Sequence, residues 1–211
     1  YKSHTNKYLT KSFLEQLKCK VYRIVKKNAR KYVNEKYLKK GKNLIIIKTA
    51  EKYVMNAIEI DLKGINNGNK IKLIDVEVEF NKVFEFNSQK IKIRGKIDRI
   101  DQINNTIRII DYKTGKKIYA RDLRLKNKEL LFEEKGIYNL QLVVYAIAIY
   151  DEFKKRDLKT GIISLKNRKD GFLTAFYEEN KYLSSTDIDN YKEIVCRIIN
   201  EIKDPEVKFE N

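Results

Sequence analysis

The chain has 211 residues, with 46 Lys and Arg against 29 Asp and Glu and a formal net charge of +17. That length suits one ordinary domain, or one with a helical annex, and is enough to bury a real core. Only Cys19 and Cys196 occur, far apart and with no CxxC, which argues against a disulfide framework or a zinc site and points to the cytoplasm. No apolar run approaches membrane-spanning length, and no signal peptide opens the sequence as given. It starts at Tyr1 rather than Met, so a piece of a larger protein is expected. The charge is uneven: residues 1–42 hold 14 Lys and Arg and 2 acidic residues. A Lys-, Ile- and Asn-rich composition can reflect an AT-rich genome. A balance this basic also favours a polyanionic partner.

In chain order, Tyr8–Tyr37 reads as a helix, with Phe13, Leu14, Leu17, Val21, Ile24 and Val25 at helical spacing and Thr10 or Ser12 as cap. Gly41 marks the helix end or the following loop. Asn43–Leu62 reads as a second helix, and residues 64–69 (GINNGN) as a loop. Ile71–Phe80 alternates in part as a half-buried strand, and Val83–Phe86 continues it or pairs back. Lys90–Asp101 is a strand, followed by a polar turn over Gln102–Thr106 with Asn104-Asn105, a good hairpin signal. Ile107–Lys113 is rich enough in Ile for a buried central strand. Arg121–Lys135 is irregular or partly helical, a candidate loop over substrate. Ile137–Phe153 is a strong helix, Thr160–Leu165 and Gly171–Tyr177 are short strands, and Ile188–Ile202 is a closing helix stopped before Pro205. This order predicts an α/β sandwich around a mixed sheet, with residues 1–70 forming a basic helical N-terminal part and 71–211 the core.

The central strand carries an anomaly. A buried strand should not end in charges, yet this one ends in Asp111-Tyr112-Lys113. Residues two apart share a strand face, so Asp111 and Lys113 point the same way, and hairpin pairing could bring Asp98 alongside. Two carboxylates and an ammonium there would repel or sit desolvated unless something binds. A divalent metal and a phosphate would resolve the conflict. The plain alternative is a structural Asp–Lys ion pair at a strand end.

Gly95-Lys-Ile-Asp98-Arg99-Ile-Asp101, then Ile110-Asp111-Tyr112-Lys113-Thr-Gly-Lys116, then Gln141-Leu-Val-Val-Tyr145, together resemble the GxxDRxD, DYKTGK and QxxxY motifs of the PD-(D/E)xK nucleases. The RecB/AddB-type exonuclease branch is the nearest match. The three motifs cover roughly Gly95–Tyr150. A lone DxK is weak; three motifs in order are strong. The resemblance implies a restriction-endonuclease-like αβββαβ core, a mixed sheet flanked by helices, with extra helices at the N-terminus. It implies DNA phosphodiester hydrolysis with Mg²⁺ or Mn²⁺, on strands fed by a helicase subunit or domain. On that reading Asp98 and Asp111 are metal ligands, the Tyr112 backbone carbonyl adds a third, and Glu77 on the preceding strand is a further candidate. Lys113 orients the attacking water or stabilises the transition state. Gln141 and Tyr145, four apart on one helix face, brace the lysine or touch DNA, and Lys116 and Lys117 contact phosphate. Arg99 and Asp101 form a local ion pair that fixes the hairpin, without a catalytic part.

Two departures accompany the resemblance. Some relatives hold an iron–sulfur cluster on four cysteines, which two cysteines cannot do alone. The branch also carries an upstream GxxxH-type helix whose His joins the metal site. The single histidine here is His4, in YKSHTNK, without that glycine spacing and in a terminal stretch expected to be mobile. The sequence therefore admits a rival, a basic non-catalytic DNA-binding module with a degenerate site. It also admits an RNA-directed or phage-defence nuclease of the same fold.

Overall fold

The computed structural model describes residues 1–167, 169–177 and 180–207. A short strand, β1 (Lys7–Tyr8), precedes a helical hairpin of α1 (Lys11–Ala29) and α2 (Gly41–Asn66). Three long strands follow: β2 (Ile71–Phe86), β3 (Gln89–Ile103) and β4 (Thr106–Lys113). After a loop region holding β5 (Arg124–Leu125) come α3 (Ile137–Phe153), β6 (Leu158–Ser164), β7 (Phe172–Thr174), β8 (Phe176–Tyr177) and α4 (Ser185–Lys203). The main sheet has the order β1-β2-β3-β4-β6-β7, and β5 pairs with β8 apart from it. Only the β4–β6 pair within the main sheet is parallel, so the sheet is mixed. The run α2-β2-β3-β4-α3-β6 is the expected αβββαβ core.

The expected N-terminal helix is shorter than its periodicity suggested. The Thr10 hydroxyl accepts the Phe13 amide at 3.2 Å and starts α1. The apolar stripe ends at Val25, and residues 26–31 offer only Ala29 to bury. The Asn28 side chain then donates to the Ile24 carbonyl at 3.0 Å, a local bond that competes with continued helix. Gly41, at a φ of +54°, opens α2 rather than closing α1, and α2 runs on to Asn66. The terminal stretch is docked, not loose. Tyr1 Oη donates to Asp61 at 2.6 Å, and the His4 ring stacks on Phe13 at 3.8 Å.

β2 and β3 form one long antiparallel pair turned by Asn87 and Ser88, both with positive φ. The β3–β4 hairpin turns at Asn104-Asn105 as expected, Asn104 taking a φ of +53°. The expected single strand over 171–177 is two, split at Ala175 between the main sheet and the small one. The Ser184 hydroxyl and Asp187 carboxylate form a capping box at the start of α4.

β4 lies inside the sheet and is buried on both faces. Ile107 and Ile109 pack toward α3 and α4 with Leu142, Val143, Ala146, Ile194 and Val195. Ile110, Ile163 and Leu165 pack against Tyr53, Ala57 and Ile60 of α2. Each such fully buried aliphatic contributes about 1.5–3 kcal/mol. Asp111 and Lys113 extend the α3 face of this strand, and Tyr112 extends the α2 face. Among the described residues, no helix is long and apolar enough to cross a membrane.

Candidate active site

Pairing between β3 and β4 reaches Arg99–Ile110 and goes no further. One residue later the strands part, and the Tyr112 amide donates to Asp98 Oδ2 at 2.7 Å instead of to a backbone carbonyl. This places Asp98 beside Asp111, close enough for the charge of Asp98 to push up the Asp111 pKa. Asp111 is only 3% exposed. Burial is the main reason its carboxyl sits above the usual aspartate range, and the charge of Asp98 adds to it. The Lys113 ammonium opposes the shift.

Gln141, on α3, joins both charges. Its amide nitrogen donates to Asp111 Oδ1 at 3.0 Å and to the Tyr145 hydroxyl at 2.6 Å, while its carbonyl oxygen accepts from Lys113 Nζ at 2.7 Å. An ammonium needs an acceptor and a carboxylate a donor, so these neighbours fix the amide's orientation. Lys113 Nζ also stands 3.0 Å from Asp111 Oδ2. That contact is an ion pair, made by a buried carboxylate oxygen without a well-aligned hydrogen bond. With Asp98 alongside, the two carboxylates could hold a cation. Asp98 and Asp111 suit a hard divalent ion such as Mg²⁺, which keeps several waters and needs few carboxylates. Among the described residues no group of three His, Cys, Asp or Glu is gathered for a metal.

Gly95 explains how Tyr145 is set. A Cβ there would stand 2.7 Å from the tip of the Phe80 ring. Without it, Phe80 lies across β3 and meets Tyr145 edge to face at 6.0 Å. The glycine of GxxD thus seats the tyrosine of QxxxY through one aromatic ring.

The structure therefore gathers Asp98, Asp111, Lys113, Gln141 and Tyr145. Glu77 stands across from Asp98, between the register pairs Val76–Arg99 and Val78–Ile97. It has a φ of +58° and pairs with Lys96, half-exposed. Lys116 is exposed at the rim, 5.5 Å from the centre of the Tyr138 ring. His4 lies at the other end of the sheet. Its Nε2 is 3.1 Å from the carbonyl of Tyr8, in β1, where Lys7 pairs with Leu73 and so aligns through Asp101 with Arg108. Arg108 is five residues from Lys113, about 16 Å along the strand.

Three participants escape a reading of the motifs. Tyr138 is one helical turn before Gln141, and Lys113 Nζ lies 5.7 Å from its ring centre, within cation–π reach; its i−3 spacing was the available signal. It also helps line a cleft of about 630 Å³ with Lys116, Lys117, Tyr119, Arg121, Arg124 and others. On the opposite sheet face, Arg99 makes the expected contact with Asp101 at 2.5 Å. It also forks onto Asp61 of α2 at 2.8 and 3.1 Å and donates to the Tyr112 hydroxyl at 3.1 Å. Arg108 forks onto Asp101 at 2.7 and 2.8 Å. A carboxylate in the apolar run of α2 was the only clue to Asp61.

The chain matches the model of the PD-(D/E)XK nuclease superfamily over residues 15–211. It belongs to that superfamily. A relative of this superfamily member, an ATP-dependent helicase/deoxyribonuclease subunit of Carboxydothermus hydrogenoformans, is 32% identical over 144 residues, which are 63% of this chain. The chain spans only 12% of that relative's length. Among solved structures, the crystal structure of SSO0001 aligns with 92% of this chain and 98% of its own, at 15% identity and a TM-score of 0.31.

Proposed function

We propose that this chain is a DNA phosphodiesterase, the exonuclease part of a cytoplasmic, helicase-coupled repair or recombination enzyme. The observation that carries the reading is the meeting of Asp98, Asp111 and Lys113 at the parted ends of β3 and β4, with the buried Asp111 carboxylate held by Gln141 and paired with the Lys113 ammonium. The helicase partner is supported by the name of the relative, a helicase/deoxyribonuclease subunit.

On this reading Asp98 and Asp111, with the Tyr112 carbonyl, would hold Mg²⁺ or Mn²⁺. A divalent ion there supplies charge neutralisation, a more acidic water and a stabilised leaving oxygen. The chain's own residues do the placing. Tyr112 N–H fixes the rotamer of Asp98. Gln141 holds Asp111 by one end of its amide and Lys113 by the other, which fixes the geometry of their ion pair. Lys113, about one-quarter exposed, can then meet the attacking water or a phosphate oxygen as negative charge grows on it. Lys116, exposed at the rim, would contact a neighbouring phosphate.

A second reading draws on one observation, that the single histidine lies far from the carboxylates. It makes the chain a basic nucleic-acid-binding module without catalysis. Incubation of end-labelled linear DNA, and RNA of the same sequence, with Mg²⁺ or Mn²⁺ separates the two. Metal-dependent shortening of DNA by the wild type, lost in Asp111→Ala with unchanged circular dichroism, is the expected result. Tight, salt-sensitive binding with no shortening of either polymer would select the binding module. RNA shortened in preference to DNA would move the reading to an RNA-directed nuclease of this fold.

A further inference from the structure

We propose that the tip of the α1–α2 hairpin is a second nucleic-acid-binding surface, which grips the phosphate backbone of the polymer outside the active site. The inference rests on the nucleic-acid reading of the chain, not on its cleavage chemistry.

Topology sets the position. The base of α1 follows β1 at the Arg108 end of the sheet, and α2 returns to that end at Asn66. Between them the hairpin crosses the sheet and overshoots it. Tyr53 Oη donates to the carbonyl of Thr114, the residue after Lys113. From Tyr53 back to Gly41 is twelve helical residues, so α2 runs on for about 18 Å along its own axis past its contact with the end of β4. Lys116 and Lys117 follow the same end of β4 on the α3 face, so a strand long enough to round that end of the sheet would reach both these lysines and the tip.

Charge sets the ligand. A lysine-rich composition raises basic content along the whole chain, but it does not remove acidic residues from one segment. Yet 27 of the 29 acidic residues lie beyond Lys42. Of the two before it, Glu35 is already engaged by Lys26 at 2.9 Å and Arg30 at 2.6 Å. Lys31, Lys39, Lys40 and Lys42 are exposed, and among the described residues no ion pair involves them. Tyr32 is 86% exposed beside them, and Lys36 stands 4.9 Å from the centre of the exposed Tyr37 ring. Free cations interleaved with exposed aromatic rings fit a phosphate backbone whose bases can stack.

The test replaces Lys31, Lys39, Lys40 and Lys42 together by Gln, exposed positions at which the fold has little at stake. Binding to labelled DNA, single-stranded and duplex, is measured by anisotropy in EDTA across a salt series, with a DNA long enough to span tip and site. The variant should bind roughly 10–100-fold more weakly than wild type, with a salt slope shallower by about 0.7–0.9 for each phosphate it no longer neutralises. A substrate of a few nucleotides, too short to reach the tip, should be cleaved at an unchanged rate. The single-strand and duplex arms show which form the tip grips. Equal affinity and slope for both proteins on both DNAs would overturn the inference. So would binding to phosphatidylserine vesicles that falls in the variant while DNA binding holds. Because binding is read without metal, a wild type that binds DNA yet cleaves none counts against the nuclease reading and leaves the tip standing.

Discussion

Gln141 does for the DYK run what no residue on β4 could do alone. Asp111 and Lys113 share a face and form an ion pair at 3.0 Å. The amide, with one donor end and one acceptor end, holds them in a shared network with Tyr145. Gln141→Ala should leave the fold intact and lower metal affinity or cleavage by about 10–100-fold, the usual loss when a residue supporting a metal ligand is removed; titration of Mn²⁺ against cleavage rate reads it. Gly95 acts at the same scale but on stability. In Gly95→Ala the new methyl meets Phe80 at 2.7 Å, so the ring must move and Tyr145 with it. Overpacking of this kind costs about 1–3 kcal/mol, and thermal unfolding should show it as a lowered Tm. The motif glycine was legible in the sequence as a motif. Its partner Phe80 was not, because nothing local ties residue 80 to residue 145.

At the scale of elements, α2 is tied to the site strands by charge as well as by packing. Asp61 and Arg99, 2% and 1% exposed, are buried together with Asp101 and Arg108. Asp61→Ala would strand part of the Arg99 charge in the interior, at a cost of about 3–5 kcal/mol, seen as an earlier urea midpoint. Burial pushes the Asp101 carboxyl up, but Arg99 and Arg108 outweigh it and hold the group below the usual aspartate range. A carboxyl more acidic when folded than when unfolded stabilises the protein above its unfolded pKa, about 3.9. That contribution fades as pH falls through the lower folded value. Urea denaturation should therefore show stability dropping on acidification below about pH 4, with a flatter acid limb in Asp101→Asn. The elements themselves were largely legible. Ile137–Phe153 carries its stripe without interruption, and Asn104-Asn105 announces its hairpin. The end of α1 was misjudged because lysines at helical spacing look helical whether or not anything is buried beneath them. The β2–β3 turn at Asn87-Ser88 carries no glycine to mark it, although both residues take positive φ.

For the whole molecule, the order of elements predicted the layers, and the structure adds how the layers meet. β4 is covered by α3 and α4 on one face and by α2 on the other. Its last residues emerge where the cover stops and the β3–β4 ladder parts. Charges at the end of an apolar strand were the clearest sign of a site in the sequence. Their geometry depended on contacts across 28 and 30 residues, from Lys113 and Asp111 to Gln141, which spacing alone could only suggest. The basic hairpin and the carboxylate site put two charge signs in separate places; on the proposed reading the cations would hold a polyanion and the acids a metal.

The most direct measurement compares wild type with Lys113→Ala in two assays: Mn²⁺ binding by calorimetry, and metal-dependent cleavage of end-labelled linear DNA. The account predicts that both proteins bind Mn²⁺ and that only the wild type shortens the DNA. Undiminished cleavage by the variant would contradict it.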